Sequence, residues 1–137
     1  MTVSGDQYSW GSAVSGSWDE AANWDDTTAG LDPASVAPGS NDAVTIPAPS
    51  GGVVWVITGT GDSASLTLQG ATVLSGTFET GTFALATTPN AWDSAGSLRL
   101  GAGSSLTVTG GASFAQYANL TLGGTRANLG ADLTFHA

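Results

Sequence analysis

Residues 43–137 alternate large apolar side chains with Ser, Thr or Asn in short runs that glycines separate. A period of two residues predicts β-strands with one buried face, and no helical period of 3.6 is present beyond residue 42. The pattern therefore predicts an all-β chain. The predicted strands are DAVTIP (42–47), VVWVIT (53–58), SLTL (65–68), ATVL (71–74), TFAL (82–85), SLRL (97–100), SLTV (105–108), NLTL (119–122) and DLTF (132–135).

Some of these runs resemble one another. SLRLGAGSSLTV (97–108) aligns with NLTLGGTRANLGADLTF (119–135), which places Leu98 over Leu120. SLTLQGATVL (65–74) is a looser third copy, with Leu66 over Leu98. A unit of about twenty residues with two or three small strands has the size of one β-solenoid coil. We expect each coil to turn at glycines and to stack its apolar side chains on the next.

The fold that this pattern favours is a right-handed parallel β-helix, or β-solenoid. A small β-sandwich is the alternative, because it also needs short alternating strands. The corners between the runs lack the Asn-Gly signature of two-residue hairpins, which favours the solenoid.

The chain divides into two zones within one structural domain. Residues 1–42 hold three of the five tryptophans and seven of the eleven acidic residues, with little periodicity. We expect this zone to be a Trp-rich N-terminal cap and residues 43–137 to be the coils, since a solenoid needs its exposed end covered. The final DLTFHA has nothing that resembles a cap, so we expect an excised segment of a longer solenoid or a surface that stacks on another molecule.

The stretch SGSWDEAANWDD (15–26) predicts a structural start of the fold. Ser17 followed by Glu20 matches a capping box, in which the hydroxyl and the carboxylate each accept a hydrogen bond from a backbone amide. We therefore predict a helical turn over residues 18–23, with Trp18 and Trp24 packed on the first coil.

Calcium binding is the functional hypothesis for the same region. Calcium takes six to eight oxygen ligands from carboxylates, carbonyls and water. The candidate carboxylates are those of Asp25, Asp26, Asp32 and Asp42. The run lacks the D-x-D-x-D-G spacing of an EF-hand, so the sequence leaves this hypothesis open beside the structural one.

A carbohydrate platform would need aromatic rings that face solvent. Trp92 is the best candidate, with Asp93 and Asn90 as hydroxyl partners. Trp10, Trp55, Tyr8 and Tyr117 are further aromatic candidates. In VVWVIT the alternation places Val54 and Val56 on one face and Trp55 on the other; if the two valines face the core, Trp55 is exposed or lies under the cap.

Composition narrows the function classes. The chain has no Lys, two Arg and a net charge of −9, so it cannot line a groove for nucleic acid. It also lacks an apolar run of the length that membrane insertion needs. The chain has no Cys, and its one histidine, His136, lies at the C-terminus, so we expect no enzyme and no catalytic residues.

Taken together, GSWDEAANW (16–24), APGSNDAVTI (37–46) and the L-x-L runs resemble parallel β-helix segments of large bacterial surface and secreted proteins. These include autotransporter passenger-like proteins and giant adhesins. The resemblance implies entry-turn roles for Trp18, Asn23, Trp24, Pro38 and Asp42. It further implies an extracellular module for adhesion or self-association, whose partners are copies of itself or a cell-surface glycan. A carbohydrate-binding module or a polysaccharide-lyase-like fragment is the alternative.

Overall fold

The structure is a computed structural model that describes residues 5–11, 15–48, 54–86, 96–101, 103–115, 119–122 and 132–135, the last two ranges as backbone. Strands dominate it, and a 3₁₀ turn at Ala21–Asn23 is the one helical element of the described residues. The prediction of an all-β chain is therefore confirmed. The strands are β1 Gln7–Trp10, β2 Ser15–Ser17, β3 Trp24–Asp26, β4 Ala43–Ile46, β5 Trp55–Leu68, β6 Ala71–Leu85, β7 Ser97–Leu100, β8 Ser105–Val108, β9 Ala112–Phe114, β10 Asn119–Leu122 and β11 Asp132–Phe135.

Two strands are much longer than the sequence predicts. β5 has 14 residues and β6 has 15, because each joins two of the predicted short runs across a glycine. Gly59 and Gly76 are register partners within these strands, with φ of 94° and 152°. A Cβ on Gly76 would collide with the backbone carbonyl of Gly59. Glycine at both positions therefore allows these φ values and the close approach of the two strands.

The strands form one mixed sheet that is not closed. β1 pairs with β3 in antiparallel orientation, and the pairings from β4 onward are parallel. β5 and β6 pair along nearly their whole length. β7, β8 and β9 then pair with three successive segments of β6, and β10 and β11 pair with β7 and β8.

The register confirms one predicted alignment and contradicts another. Leu98 pairs with Leu120, as the alignment of the two C-terminal runs predicts. Leu66 does not align with Leu98, because it pairs with Phe83 while Leu98 pairs with Thr72. The prediction failed because L-x-L runs are alike whichever strand they pair with, so their similarity does not determine the register.

Paired strands bring their buried residues into columns that build the core. One column runs from Val44 through Leu66 to Phe83, and a parallel one runs from Ile46 through Leu68 to Leu85. These residues are at most 2% exposed, and they belong to the same buried cluster as the N-terminal aromatic rings. Residues 7–46 therefore share one core with the strands that follow.

Candidate functional site

The two tryptophans of SGSWDEAANWDD are structural. Trp18 and Trp24 are 2% and 0% exposed, which confirms the prediction that both rings are buried. Their ring centroids lie 4.7 Å apart in an edge-to-face contact, and the Trp24 Nε1 donates a hydrogen bond to the Trp18 carbonyl at 2.8 Å. The Trp18 Nε1 donates to the Pro38 carbonyl at 3.4 Å. Neither ring offers a face to a sugar.

The predicted capping box is wrong. The 3₁₀ turn begins after Glu20, which occupies the N-cap position without a side-chain cap hydrogen bond. Ser17 is held in β2 by its pairing with Thr58, and its Oγ accepts a hydrogen bond from the Asp19 amide at 3.1 Å. The turn starts four residues after Ser17 and covers only Ala21–Asn23 of the predicted 18–23, so the Ser17 hydroxyl is too early in the chain to cap it.

The four acidic residues predicted to bind calcium do not meet at one point. The Asp25 and Asp32 side chains hydrogen-bond to each other, and Asp26 hydrogen-bonds to Asp6. Asp42 uses both carboxylate oxygens on backbone amides, those of Asp6 at 2.8 Å and Gly39 at 2.7 Å. Within the described ranges, no group of three or more His, Asp or Glu side chains could hold a metal ion. Calcium binding stays a prediction that no observed geometry favours.

The paired carboxyl groups shift the pKa values of this region. The pKa of Asp6 lies above its ordinary value of 3.8, chiefly because its side chain hydrogen-bonds to Asp26. Burial is the main reason for the raised pKa of Asp25, followed by its hydrogen bond to Asp32. Burial also raises the pKa of the Tyr8 phenol, and the charge of Asp26 adds to this effect. Each shift favours the protonated form.

The predicted sugar-binding residues Asn90, Trp92 and Asp93 lie outside the described residues, as does Tyr117. Tyr8 and Trp10 are wrong as candidates for sugar-facing rings, since both are buried.

Trp55 also departs from its predicted orientation. Its ring packs against the core and its Nε1 donates to the Pro47 carbonyl at 2.7 Å. The condition for an outward Trp55 is not met, since Val54 is 43% exposed and β5 turns Trp55 and the buried Ile57 towards the core.

An acidic pair that the sequence did not predict lies on the outer surface. Asp62 of β5 and Glu79 of β6 are register partners, and both are exposed. Alignment of TGTGDSA (58–64) with SGTFETG (75–81), at the offset of the β5–β6 pairing, would have revealed the pair.

Asp62 and Glu79 line a groove of about 290 Å³. The Ser63 and Thr80 hydroxyls of the same groove are already hydrogen-bonded within the protein. The Ser63 Oγ donates to the Thr80 Oγ1 at 2.9 Å, and the Thr80 hydroxyl donates to the Thr82 carbonyl. The two carboxylates thus remain as acceptors for hydroxyl or amino groups of a ligand. The other lining residues are Ser40, Ala64, Gly81 and Thr109.

The opposite end of the sheet carries few acidic residues, and Asp132 of β11 is one of them. Among the described residues β9, β10 and β11 each pair on one side only, with β6, β7 and β8. Phe114 in β9 is 50% exposed although its register partner Leu85 is buried. Residues 96–115 carry Arg99 as their only charged side chain. Unpaired strand edges beside exposed apolar surface are typical of strand-to-strand association.

No helix among the described residues is long and apolar enough to cross a membrane. No protein-family model, curated protein or solved structure matches the chain.

Proposed function

We propose that this chain is a right-handed parallel β-solenoid module of an extracellular bacterial surface protein, acting structurally in adhesion or self-association. The observation that carries the proposal is the series of parallel ladders from β4 to β11, with buried residues of β4, β5 and β6 stacked in register. Such an arrangement builds its core from neighbouring rows and leaves strand edges at its ends, as repeat proteins of this class do. The resemblance of residues 16–46 to entry segments of bacterial β-helices supports the surface location.

Self-association is the first part of the proposal to test. We expect sedimentation velocity of the purified chain to show a concentration-dependent oligomer. Salt should strengthen it, because copies with a net charge of −9 repel one another at low ionic strength. A chain that stays monomeric at high salt and high concentration, and that does not adhere to cells or glycans, would overturn the proposal.

Carbohydrate binding is the second candidate, and the Asp62–Glu79 groove favours it. Adjacent carboxylates on a rigid ladder can each accept hydrogen bonds from sugar hydroxyls. The test is a glycan array with Asp62→Asn and Glu79→Gln, each compared with the exposed Glu20→Gln. Loss of a glycan signal in the two groove variants alone, in a chain that does not self-associate, would support this candidate over the structural one. Trp92→Ala tests the sugar-binding role predicted for that residue.

A further inference from the structure

Carboxyl groups meet where β1 joins its two neighbouring strands. β1 lies between β3 and β4, and Tyr8 is the register partner of Asp26 on one side and of Val44 on the other. Asp6 directly precedes β1, and its side chain hydrogen-bonds to that of Asp26 at the end of β3. The joint between β1 and β3 is therefore held by a carboxyl pair as well as by the backbone ladder.

Backbone amides fix the carboxyl groups on either side of Asp6. Asp42, directly before β4, accepts hydrogen bonds from the amides of Asp6 at 2.8 Å and Gly39 at 2.7 Å. Asp26 accepts a hydrogen bond from the Ala29 amide at 2.9 Å and is only 5% exposed. The Asp26 carboxyl group is thus held away from water, beside Asp6.

A second carboxyl pair lies on the other face of β3. Asp25 precedes Asp26 in this strand, so the two side chains point to opposite faces. The Asp25 side chain hydrogen-bonds to that of Asp32, which belongs to the loop after β3. One pair therefore joins β3 to the start of β1, and the other joins β3 to its own following loop.

Each of these two side-chain hydrogen bonds needs a proton. An ionised carboxylate has acceptors only, so two carboxyl groups hydrogen-bond to each other only while one of them is protonated. When that proton leaves, two like charges remain close together and repel. The raised pKa values agree with this, since that of Asp6 has the hydrogen bond to Asp26 as its largest cause and that of Asp25 has burial, followed by the hydrogen bond to Asp32.

No cation of the described residues lies beside the two pairs. Arg99 is the one basic side chain in that part of the chain, and β4, β5 and β6 separate its strand β7 from β1 in the sheet. The other titratable groups that act on the first pair are Asp42 and the Tyr8 phenol. The acidic residues of the adjoining segment and of β5 are exposed, and these are Asp19, Glu20 and Asp62.

We propose that the pairs Asp6–Asp26 and Asp25–Asp32 form an acid-closed latch, which holds β1 and β3 on β4 while each pair shares a proton and lets these two strands open locally when the protons are released to solvent. The new charges arise at the joint of β1, β3 and β4, far from the ladders of β6 to β8. Opening frees the edge of β4 that pairs with β1, so pH determines whether that edge can accept another strand. This inference does not rest on the proposed function.

Hydrogen exchange followed by mass spectrometry tests the latch segment by segment. The measured quantity is the protection factor, corrected for the intrinsic exchange rate, in mild acid and at neutral pH. We expect the protection of peptides from β1 and β3 to fall as the pH rises. At neutral pH these peptides should exchange about tenfold or more faster than peptides from β6, because they open without unfolding of the whole sheet.

Asp26→Asn tests the first pair. The asparagine keeps the acceptor for the Ala29 amide, and its side-chain amide donates to Asp6 without a shared proton. The pH dependence of protection in β1 and β3 should therefore become weaker, and adding Asp32→Asn should remove the remainder. Asp6→Asn supplies the same donor from the half-buried partner and replaces Asp26→Asn if that variant does not fold.

Glu79→Gln is the matched control, because it removes one negative charge from an exposed position on β6. It should leave the pH dependence of β1 and β3 as in the wild type. If β1 and β3 exchange as slowly as β6 at neutral pH, they open only when the whole fold unfolds, and the latch is wrong. The latch is also wrong if the asparagine variants keep the wild-type pH dependence. Neither result affects the proposed function, which is tested by self-association and adhesion.

Discussion

The indole of Trp18 packs directly on the backbone of Gly61, where a Cβ would overlap the ring. Gly61 is buried, and its register partner Phe78 lies with its ring centroid 5.7 Å from that of Trp18. Trp18 therefore occupies the position that a side chain of β5 would fill in this column. The N-terminal zone covers the core by inserting a ring where the strand provides a glycine.

Gly61→Ala should lower the free energy of unfolding by about 1–3 kcal/mol, because the methyl group must displace the Trp18 ring from a packed core. Denaturation in guanidinium, followed by circular dichroism, measures this loss. Gly111→Ala is the control, since a Cβ there meets no atom within 4 Å. Equal stability of the two variants would show that Trp18 is not tightly packed on Gly61.

Several features of the fold follow from the sequence alone, and others do not. The alternation of Leu98, Leu100, Leu106 and Val108 predicts strands, and all four residues are buried. The pairing of β5 with β6 could not be predicted in this way, because the glycines within TGTGDSA are typical of a loop when only neighbouring residues are considered. Only the partner strand makes that stretch extended, through hydrogen bonds from residues far away in the sequence.

The same reason explains the wrong capping box and the acidic pair that was not predicted. The Ser17–Glu20 spacing is a local signal that does not determine where the 3₁₀ turn starts, which is after Glu20. The Asp62–Glu79 pair is a non-local feature that depends on a register of 17 residues, and register is the property that similar L-x-L runs leave undetermined.

The fold should be more stable in mild acid than at neutral pH. Asp6 and Asp25 have raised pKa values in the folded protein, so it binds more protons than the unfolded chain above the ordinary value of 3.8. The stabilising contribution is complete below that value and is lost as the pH rises through the raised folded values. We expect the melting temperature to fall as the pH rises from mild acid towards neutral, measured in excess chelator.

Substitution of Asp32, the partner of Asp25, separates the effect of the carboxyl pair on the pH dependence of stability from the effect of net charge. In Asp32→Asn the amide donates a hydrogen bond to Asp25 without needing a shared proton, so the pH dependence should become weaker. Glu20→Gln removes one charge from an exposed residue outside both pairs and should keep the wild-type dependence. Identical pH profiles for the two variants would mean that the Asp25–Asp32 pair is not a cause.

Glu79→Lys should stabilise the sheet. In the wild type, Asp62 and Glu79 are like charges at paired positions, and the lysine would replace repulsion with attraction. Cross-strand charge pairs of this kind contribute about 0.2–1 kcal/mol, and salt should reduce the gain. Thermal unfolding at low and high salt measures it.

Glu20→Lys provides the matched change in net charge at an exposed position away from this ladder. If Glu20→Lys gains as much stability as Glu79→Lys, the gain comes from the change in net charge and not from the Asp62–Glu79 pair.

Trp24→Phe tests how much the N-terminal aromatic cluster contributes to stability. Trp24 is fully buried, contacts the rings of Trp10 and Trp18 at centroid distances of 4.9 Å and 4.7 Å, and donates a hydrogen bond to the Trp18 carbonyl. Phenylalanine would leave a small cavity and remove that donor, which should cost about 2–3 kcal/mol in guanidinium denaturation.

Trp55→Phe is the comparison, because it removes an indole hydrogen bond, to the Pro47 carbonyl, from a half-buried position. It should cost about 1 kcal/mol, since little packing is lost with the donor. The difference between the two variants measures the contribution of close packing around Trp24. If Trp55→Phe costs as much as Trp24→Phe, the hydrogen bond accounts for the stability and the aromatic cluster adds nothing beyond it.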